Sequence, residues 1–390
     1  MMEMIYIAKD IPLWQVTIWD KKFNNVDKKW QPKTIKYKYL LSDELDSLRV
    51  DDGDVRILYT GKDVGFTTEE LAGDRLSEGE IISIPWGGIP TVKYHKGKFV
   101  TGDNRIATSK DINKLTNKYL YYFMRGNIHE IASYYRGASL KHPCMKDILK
   151  MTISYPSVQE QDKICGQFDV LEQIIEVRKQ ELQLLDDLIK ARFVEMFNLS
   201  DCIYKSLGEC TDFVDYRGHT PELSDEGIIR MVNAKSVGKG FFKYVDEFVT
   251  EETYDAWMHR GFGYPGDILF VTEGHTFGNT CLIPEDMTKF ALGQRVITIK
   301  GKEEIKNAFL CSYMQTDMFW KDINVYRTGG TAQGIRSKDL VKVMVPIPPI
   351  EQQIEFVRFV HKVDKSKVAV QKALDETQML FDSLMQKYFG

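Results

Sequence analysis

The sequence has few cysteines and histidines, and neither type is clustered. Its six cysteines and seven histidines are dispersed over 390 residues, without a Cys-x-x-Cys pair or two histidines at metal-binding spacing. This pattern excludes a zinc finger and a disulfide framework. No run approaches the roughly 20 apolar residues needed to cross a bilayer. The first ten residues lack the basic flank and apolar core of a signal peptide, so the cytoplasm is the expected location.

Two motifs of common enzyme classes are also absent. A phosphate-binding loop requires Gly-x-x-x-x-Gly-Lys-Ser/Thr, whereas Gly61-Lys62 is followed by Asp and Gly238-Lys239 by Gly. No Gly-x-Ser-x-Gly nucleophile elbow occurs either. The carboxylates are plentiful, but none stands out from a solvated surface. We therefore expect a non-catalytic chain.

Acidic residues exceed basic residues by a small number only. The net charge is −4 at pH 7, and segments 156–199 and 348–390 together contain 15 acidic and 11 basic residues. These two segments account for the whole excess, so the remainder of the chain is neutral. This balance excludes a generally basic nucleic-acid-binding chain, but neutral domains can still present local basic faces to a ligand.

What the sequence does contain is an internal repeat. Residues 134–197 align with residues 326–389 at a constant offset of 192 and without a gap. Identical pairs include Tyr134 and Tyr326, Gly137 and Gly329, Lys150 and Lys342, Pro156 and Pro348, Gln161 and Gln353, and Phe197 and Phe389. Further upstream, apolar runs rich in β-branched residues repeat more weakly and are typical of short strands. The chain is therefore predicted to have two similar halves, each with a β-rich part followed by a helix.

Each half ends in a long segment with the heptad pattern of a coiled coil, because apolar residues recur at alternating steps of four and three. The predicted seam comprises Ile164, Phe168, Leu171, Ile175, Leu182, Leu185 and Ile189 in the first helix and Phe356, Val360, Val363, Val370, Leu374, Phe381 and Leu384 in the second. A helix with so narrow an apolar stripe needs a partner. The other copy in the chain is the nearest one. Packing on the helix's own domain, or homodimerisation, is the alternative.

These patterns predict an α+β protein with a pseudo-twofold internal repeat. Two β-rich, mixed α/β domains, residues 1–152 and 200–347, are expected to be separated by long spacer helices within residues 153–199 and 348–390. The helices are expected to form an intramolecular antiparallel coiled coil, since the first leaves one domain and ends at the other. At 1.5 Å per residue each would be about 60 Å long. Two similar domains on a stiff rod suit a long regular ligand, and double-stranded DNA with two short sites is the obvious one.

Several predicted loops have the composition of a DNA-contacting surface. Phosphate contacts come from Lys, Arg, Ser and Thr, and base contacts from Arg, Lys, Asn and Gln. The candidates are Trp86, Lys93, His95, Lys96, Lys98, Arg136 and Lys141 in the first half, and Tyr216, Arg217, His219, Thr220, His275, Thr276, Asn279, Arg327, Thr331, Gln333 and Arg336 in the second. For each loop the alternative is an ordinary solvated hairpin, and for Trp86 it is packing in the core.

The motif that opens the second helix carries a family resemblance. Residues 347–352 read IPPIEQ, and residues 155–161 read YPSVQEQ. With the order domain, helix, domain, helix over the full chain, this resembles the specificity subunit of type I restriction–modification systems. Residues 328–340, TGGTAQGIRSKDL, are similar to the segment that precedes this element in the family, and residues 217–222, RGHTPE, to the turn near the start of a recognition domain. The first half departs from the family here, because it has no Gly-x-Thr-Pro turn.

The resemblance implies a non-catalytic subunit whose two target-recognition domains each read one half of a bipartite DNA site. Its helices would set the spacer and dock two methyltransferase subunits, with restriction subunits as further partners. Adenine-N6 methylation and ATP-dependent DNA cleavage, with S-adenosylmethionine, ATP and Mg, would belong to those partners. This chain lacks the Asn/Asp-Pro-Pro-aromatic motif of an adenine methyltransferase. Two alternatives stay open: the specificity subunit of a related fused methyltransferase–nuclease system, and a coiled-coil adaptor that presents two domains to proteins rather than to DNA.

Dividing the chain near residue 199 tests the pairing of the helices. We expect residues 1–199 to dimerise through the helix and to specify a palindromic DNA site, because two copies of one domain then replace two different domains. Analytical ultracentrifugation and methylome sequencing with the cognate methyltransferase measure these outcomes. A well-folded fragment that stays monomeric would count against the helix pairing.

Overall fold

The structure, a computed structural model, describes residues 6–20, 31, 33–61, 64–199, 202–216, 220–328 and 333–390. The chain forms two compact units. Unit 1 comprises Met1–Val177 and Ala373–Gly390, and unit 2 comprises Arg178–Lys372. Both units combine sheets with helices, which confirms the predicted α+β class. Among the described residues, no helix is both long enough and apolar enough to cross a membrane.

Unit 1 is built around one sheet. Its elements are β1 (Tyr6–Pro12), α1 (Leu13–Val16), β2 (Thr17–Trp19), α2 (Ser42–Ser47), β3 (Val55–Leu58), β4 (Val64–Thr67), α3 (Glu69–Ala72), β5 (Ser77–Pro85), β6 (Lys93–Thr101), β7 (Asn104–Ser109), α4 (Asn117–Gly126), α5 (Ile128–Ser133), β8 (Tyr135–Arg136), β9 (His142–Pro143), α6 (Met145–Ile148), β10 (Thr152–Pro156) and the first part of α7 (Val158–Met196). Six strands pair in the order β2, β7, β5, β6, β3, β4. The core forms where α4 packs on this sheet, since Tyr119, Leu120 and Tyr122 are buried with Ile82 and Ile84.

Unit 2 repeats this build with shorter strands. Its elements are the second part of α7, β11 (Ile203–Ser206), α8 (Leu207–Cys210), β12 (Thr211–Asp215), β13 (Ile229–Val232), β14 (Phe248–Val249), α9 (Glu251–Trp257), β15 (Ile268–Val271), β16 (Thr280–Leu282), β17 (Phe290–Leu292), β18 (Val296–Gly301), α10 (Asn307–Tyr313), α11 (Asp317–Ile323), α12 (Ser337–Leu340), β19 (Met344–Ile347) and the first part of α13 (Ile350–Phe389). The strands pair as β12-β18-β15-β16, β14-β13-β17 and β11-β19. The apolar runs of β15 and β18 are buried, and α10 packs on them.

The repeat also covers the first elements of each unit. In unit 1 the Thr17 hydroxyl donates a 2.6 Å hydrogen bond to the carbonyl of Leu13. In unit 2 the Thr211 hydroxyl donates a 2.6 Å hydrogen bond to the carbonyl of Leu207. Both bonds close a single helical turn between two strands. They lie outside the segment that aligns without gaps, so the two units are alike from their first strands onward.

A buried glutamine fixes the start of α7. Gln161 is fully buried, and its Oε1 accepts a 2.9 Å hydrogen bond from the Thr116 N–H. Its Nε2 donates to the carbonyls of Lys114 and Pro156 at 2.7 and 2.9 Å. The amide therefore satisfies backbone groups at the start of α4 and at the turn that leads into α7. Three buried hydrogen bonds therefore set the direction of the chain at this turn.

Gln353 does the same at the start of α13. It is fully buried, accepts a 2.8 Å hydrogen bond from the Lys306 N–H, and donates to the carbonyls of Glu304 and Pro348 at 3.0 and 2.8 Å. This shared pattern explains why the two proline-to-glutamine motifs resemble each other. The glutamine of each motif attaches a long helix to the domain that precedes it.

The last turns of α13 complete the core of unit 1. The Phe389 ring lies 5.1 Å from the ring of Tyr119 and 5.8 Å from that of Phe168. Phe381 lies edge-on to Phe168 at 5.2 Å. The Asn127 side chain donates a 2.9 Å hydrogen bond to the Phe389 carbonyl. Residues far apart in sequence are therefore required for one core.

Unit 2 contains the complementary parts of both helices. There Arg192 pairs with Glu355 at 3.3 Å, and Asp186 pairs with Lys367 at 2.6 Å, so the two segments run antiparallel within this unit. Phe193 is buried in the same core as the α10 side chains. Every residue of the predicted seam is buried or half-buried in the unit that contains it. The continuous coiled coil that spaces two domains stays a prediction.

The replacement of Gln353 by Ala tests the glutamine clamp, by which we mean the three hydrogen bonds of the buried glutamine amide at the start of each long helix. We expect the free energy of unfolding to fall by about 2 kcal/mol, because the Lys306 N–H and two carbonyls lose their buried partner. Urea unfolding of the full chain measures the change. The neighbouring Gln352→Ala is the matched control, since Gln352 is exposed and should cost less than about 0.5 kcal/mol. Equal stability of the two variants would show that the clamp contributes nothing.

Candidate nucleic-acid interface

In unit 1, several predicted DNA-binding residues meet where β5 ends. The turn after β5, residues 86–88, packs on the β8–β9 hairpin: the Gly88 N–H donates a 3.2 Å hydrogen bond to the Lys141 carbonyl. His142 Nδ1 hydrogen-bonds with the Trp86 carbonyl at 2.7 Å, and the two rings lie 5.3 Å apart. Arg136 is on the same hairpin and pairs with Asp147 at 2.7 Å. We call residues 86–89 and 136–142 tip 1.

A buried ion pair supports the indole of tip 1. The Arg105 guanidinium lies 4.6 Å from the centre of the Trp86 ring and is 1% exposed. It pairs with Asp20 at 3.1 Å and also with Asp103. Trp86 is therefore held from one side and half-buried, while nearby Ile89 is 78% exposed. Tip 1 presents apolar surface beside basic side chains, a combination suited to a base or sugar next to a phosphate.

In unit 2, two predicted loops pack against each other where β15 ends. The Gly274 N–H donates a 2.9 Å hydrogen bond to the Gln333 carbonyl. The Arg327 guanidinium donates to Gln333 Oε1 at 3.3 Å. His275 and Thr276 are exposed on the first loop. We call residues 273–280 together with the described part of 327–336 tip 2.

Tip 2 surrounds a cavity of about 310 Å³ whose lining includes one residue from outside these two loops. This residue is Arg295, which pairs with Glu273 at 3.0 Å and lines the cavity with His275, Thr328 and Gln333. Its φ of +70° is uncommon for a residue with a side chain. The only sequence signal is an arginine in the short turn between two predicted strands.

The two tips are equivalent in the repeat. Lys141 and Gln333 are separated by the repeat offset of 192 residues, and each accepts a backbone hydrogen bond from a glycine, Gly88 or Gly274, in the turn after the central strand. The same backbone contact therefore carries different side chains in each unit. Different side chains on one scaffold are what two distinct base sequences require.

The basic strand residues 93–98 are engaged within unit 1. Lys96 lies 3.9 Å from Glu80, and Lys98 pairs with Glu69. The His95 Nε2 lies 3.0 Å from the Lys98 carbonyl, and burial lowers the pKa of this imidazole, so it carries no charge at neutral pH. The Lys93 ammonium donates hydrogen bonds to the carbonyls of Tyr59 and Gly61.

Strand register further separates these residues from tip 1. Lys93 pairs with Ser83, close to the end of β5, whereas Phe99, next to Lys98, pairs with Ser77 at its start. At about 3.3 Å per residue, Lys98 is roughly 16 Å along the strand from Lys93. Lys98 is therefore remote from tip 1, and the Lys93 ammonium is bound to backbone carbonyls of residues 59–61.

For Tyr216 the structure indicates a structural role instead of a DNA contact. Its side chain is 1% exposed, its hydroxyl donates a 2.8 Å hydrogen bond to the Gly261 carbonyl, and the hydroxyl accepts one of 2.7 Å from the Arg260 N–H. A buried tyrosine with both hydrogen bonds satisfied stabilises the core. Thr220, four residues later in the chain, is exposed.

The remaining candidates differ in how free they are. The Arg336 guanidinium pairs with Asp339 at 2.8 Å, and the Asn279 side chain donates to the Val237 carbonyl at 3.1 Å. Hydrogen bonds from Lys342 and Arg336 lower the pKa of Asp339, so it stays ionised and compensates these cations. The candidates Arg217, His219 and Thr331 lie outside the described residues.

No metal centre emerges from the part of the chain that the structure describes, and two of its buried thiols are unreactive. No group of three or more His, Cys, Asp or Glu side chains there is arranged to hold a metal ion. Burial raises the pKa of the Cys210 thiol to about 11 and that of Cys311 to about 12, so these sulfurs are protonated and poor nucleophiles.

Comparison with known families gives these tips their context. A family model described as the type I restriction modification DNA specificity domain matches residues 45–186 and again residues 213–377. The chain belongs to this family. Specificity subunits of type I restriction–modification systems recognise DNA sequence and are non-catalytic components. The two matches fall on the two halves of the repeat, which confirms the internal duplication.

Individual relatives agree with the family. The chain is 22% identical over 340 residues to the EcoDI specificity subunit of Escherichia coli, covering 77% of this chain and 74% of the relative. It is 24% identical over 280 residues to the EcoR124I/EcoR124II specificity subunit of Escherichia coli, covering 67% and 66%. Its fold is similar to that of a type I system S subunit from M. genitalium, with a TM-score of 0.61, 17% identity and coverage of 100% and 97%.

The replacement of Arg327 by Ala tests tip 2. We expect DNA binding to weaken by about 1–3 kcal/mol and the base requirement to relax at one position, because a guanidinium beside Gln333 is lost. Fluorescence anisotropy with duplex DNA and the cognate methyltransferase measures it. The control is Lys289→Ala. Lys289 lies just before β17, at the opposite end of this strand from Arg295, which lines the cavity of tip 2. Unchanged affinity and base preference for Arg327→Ala would remove this residue from the interface.

Proposed function

We propose that this chain is the DNA-recognition subunit of a type I restriction–modification complex and that its two tips read the two halves of a bipartite site. The observation that carries the proposal is the equivalence of the tips. One backbone contact, from a glycine N–H to Lys141 or Gln333, recurs in both units and presents different side chains. A single chain with two such tips can recognise an asymmetric pair of short sequences.

The long helices are proposed to set the spacer and to dock two methyltransferase subunits. Besides the buried seam, α7 carries apolar side chains that are exposed in the unit to which each belongs. In unit 1 these are Val170 and Val177, which are 54% and 58% exposed, and in unit 2 Leu184 is 68% exposed. Apolar residues on a solvent-facing helix surface are typical of a protein interface. Their presence supports a protein partner rather than DNA at the helices.

The chemistry is proposed to reside in the partners. Adenine-N6 methylation would use S-adenosylmethionine on the methyltransferase subunits, and cleavage would use ATP and Mg on restriction subunits. The role of this chain would then be to bind and orient DNA. Arg327, Gln333 and Lys141 supply hydrogen-bond donors for that role, and the supported indole of Trp86 supplies an apolar surface.

Methylome sequencing tests the proposal. Cells that express this chain with its cognate methyltransferase should gain a methylated motif of two short sequences separated by a spacer of fixed length. Trp86→Ala should relax one half of the motif, and Arg327→Ala the other half only, because the two residues belong to different tips. A near-native melting temperature of each variant is the control for folding.

Three outcomes would contradict the proposal. The first is an uninterrupted motif, and the second is an effect of both variants on the same half. The third is the absence of sequence-dependent DNA binding at any salt concentration, which would favour the protein adaptor. Co-purification of a fused methyltransferase–nuclease would instead identify the related system.

A further inference from the structure

Unit 2 contains a loop that has no counterpart of equal length in unit 1. Strands β3 and β4 are joined by residues 59–63, whereas β13 and β14 are joined by residues 233–247. Both strand pairs are antiparallel, and both are followed by a helix with a threonine N-cap, Thr68 or Thr250. The connections are therefore equivalent, and the longer one is specific to unit 2. It contains the sequence GKGFFK at residues 238–243.

Backbone hydrogen bonds hold this turn against tip 2. The Gly238 N–H donates to the Phe241 carbonyl at 2.9 Å, which closes the turn. The Gly240 N–H donates to the Thr280 carbonyl at 2.9 Å, and the Asn279 side chain donates to the Val237 carbonyl at 3.1 Å. Gly240 has a φ of +83°, a conformation that a side chain would strain. The turn is thus fixed to the loop that carries His275 and Thr276.

The side chains of the turn combine an aromatic ring with two cations. The Phe241 ring packs directly on the backbone of Gly238, since a Cβ there would lie 2.6 Å from its Cζ atom, yet Phe241 is 49% exposed. The Lys243 Nζ lies 5.4 Å from the ring centre. Lys239 and Lys243 are exposed, and neither has an ion-pair partner among the described residues. Lys96 and Lys98 of unit 1, in contrast, face carboxylates.

This arrangement fits DNA chemically. Exposure of half a phenylalanine ring to water is unfavourable, and two uncompensated ammonium groups beside it attract anions. A nucleic-acid duplex offers phosphates on both sides of a base or deoxyribose that an apolar side chain can contact. A protein partner would need an apolar pocket between two carboxylates instead. The hydrogen bonds that join this turn to tip 2, the proposed DNA-reading loop of unit 2, favour DNA as the occupant.

We propose that the turn 238–243 is a DNA-contact element of unit 2, in which Lys239 and Lys243 bind phosphates and Phe241 packs against a base or deoxyribose between them. The inference rests on the proposed function, since it adds a contact to the half-site read by tip 2. The extra length of this connection gives the two units different reading surfaces. It therefore contributes to the difference between the two half-sites.

Salt titration separates the two kinds of contact. In the complex with methyltransferase, Lys239→Ala/Lys243→Ala should reduce the slope of log K against log salt by about 2, because about 0.9 counterion is released per phosphate contact. Phe241→Ala should lower affinity by about tenfold at unchanged slope, since stacking and apolar contacts release no counterions. Phe241→Tyr should bind like the parent chain. The probe is duplex DNA that carries the motif found by methylome sequencing.

Matched controls keep the test decisive. Tyr204→Ala removes an aromatic side chain that is 40% exposed on β11, which pairs with β19, and should leave binding unchanged. Parent-like affinity and slope for both the Phe241→Ala and the double lysine variants would overturn the inference while the proposed function stands. Failure of the parent complex to bind the duplex would overturn both. The two lysines are exposed, so the double variant should keep the parent melting temperature.

Discussion

The rest of the molecule depends on the two buried glutamine amides. A helix tens of ångströms long magnifies any angular play at its base, so a loose attachment would leave its far end undefined. Gln161 and Gln353 each make three hydrogen bonds from the side-chain amide to backbone groups of the adjoining domain and turn. Because these groups are buried, water does not compete for them. Each long helix therefore leaves its domain in one direction.

Charge pairing across the surface favours selective over general DNA binding. Lys96, Lys98 and Arg336 face carboxylates, and a phosphate must displace those partners to bind them. Such exchange reduces the sequence-independent affinity that free cations would give. The side chains proposed to read base edges, such as Arg327 and Gln333, would then decide a larger share of the binding energy. A near-neutral DNA-binding chain is consistent with this balance.

The sequence predicts the large features of the fold because they depend on periodic apolar residues. The long helices lie where the heptad pattern places them, and the duplication follows from the gapless alignment. The partners of Gln161 and Gln353 were not predictable, since backbone groups of distant loops leave no side-chain signature. The equivalence of Thr17 and Thr211 is not predictable from the sequence, because loop lengths shift the alignment outside residues 134–197.

The candidate site was harder to predict than the fold. Composition alone groups Lys93 and Lys98, but strand register separates them, and burial places Tyr216 in the core. Arg295 and Phe241 carry no motif, so only their neighbours in space draw attention to them. Residues of a recognition surface are selected by the ligand rather than by folding. A pattern that reports folding therefore says little about them.

The packing of Phe381 and Phe389 against Phe168 and Tyr119 has a consequence for synthesis. These aromatic residues are made more than 200 positions after the surface that they cover, which at roughly 5–20 residues per second is a delay of roughly 10–40 s. Throughout that interval the nascent first unit exposes an apolar face on α4 and α7. A growing chain with such a face is a substrate for ribosome-associated chaperones, and it is open to capture by another nascent copy on the same messenger.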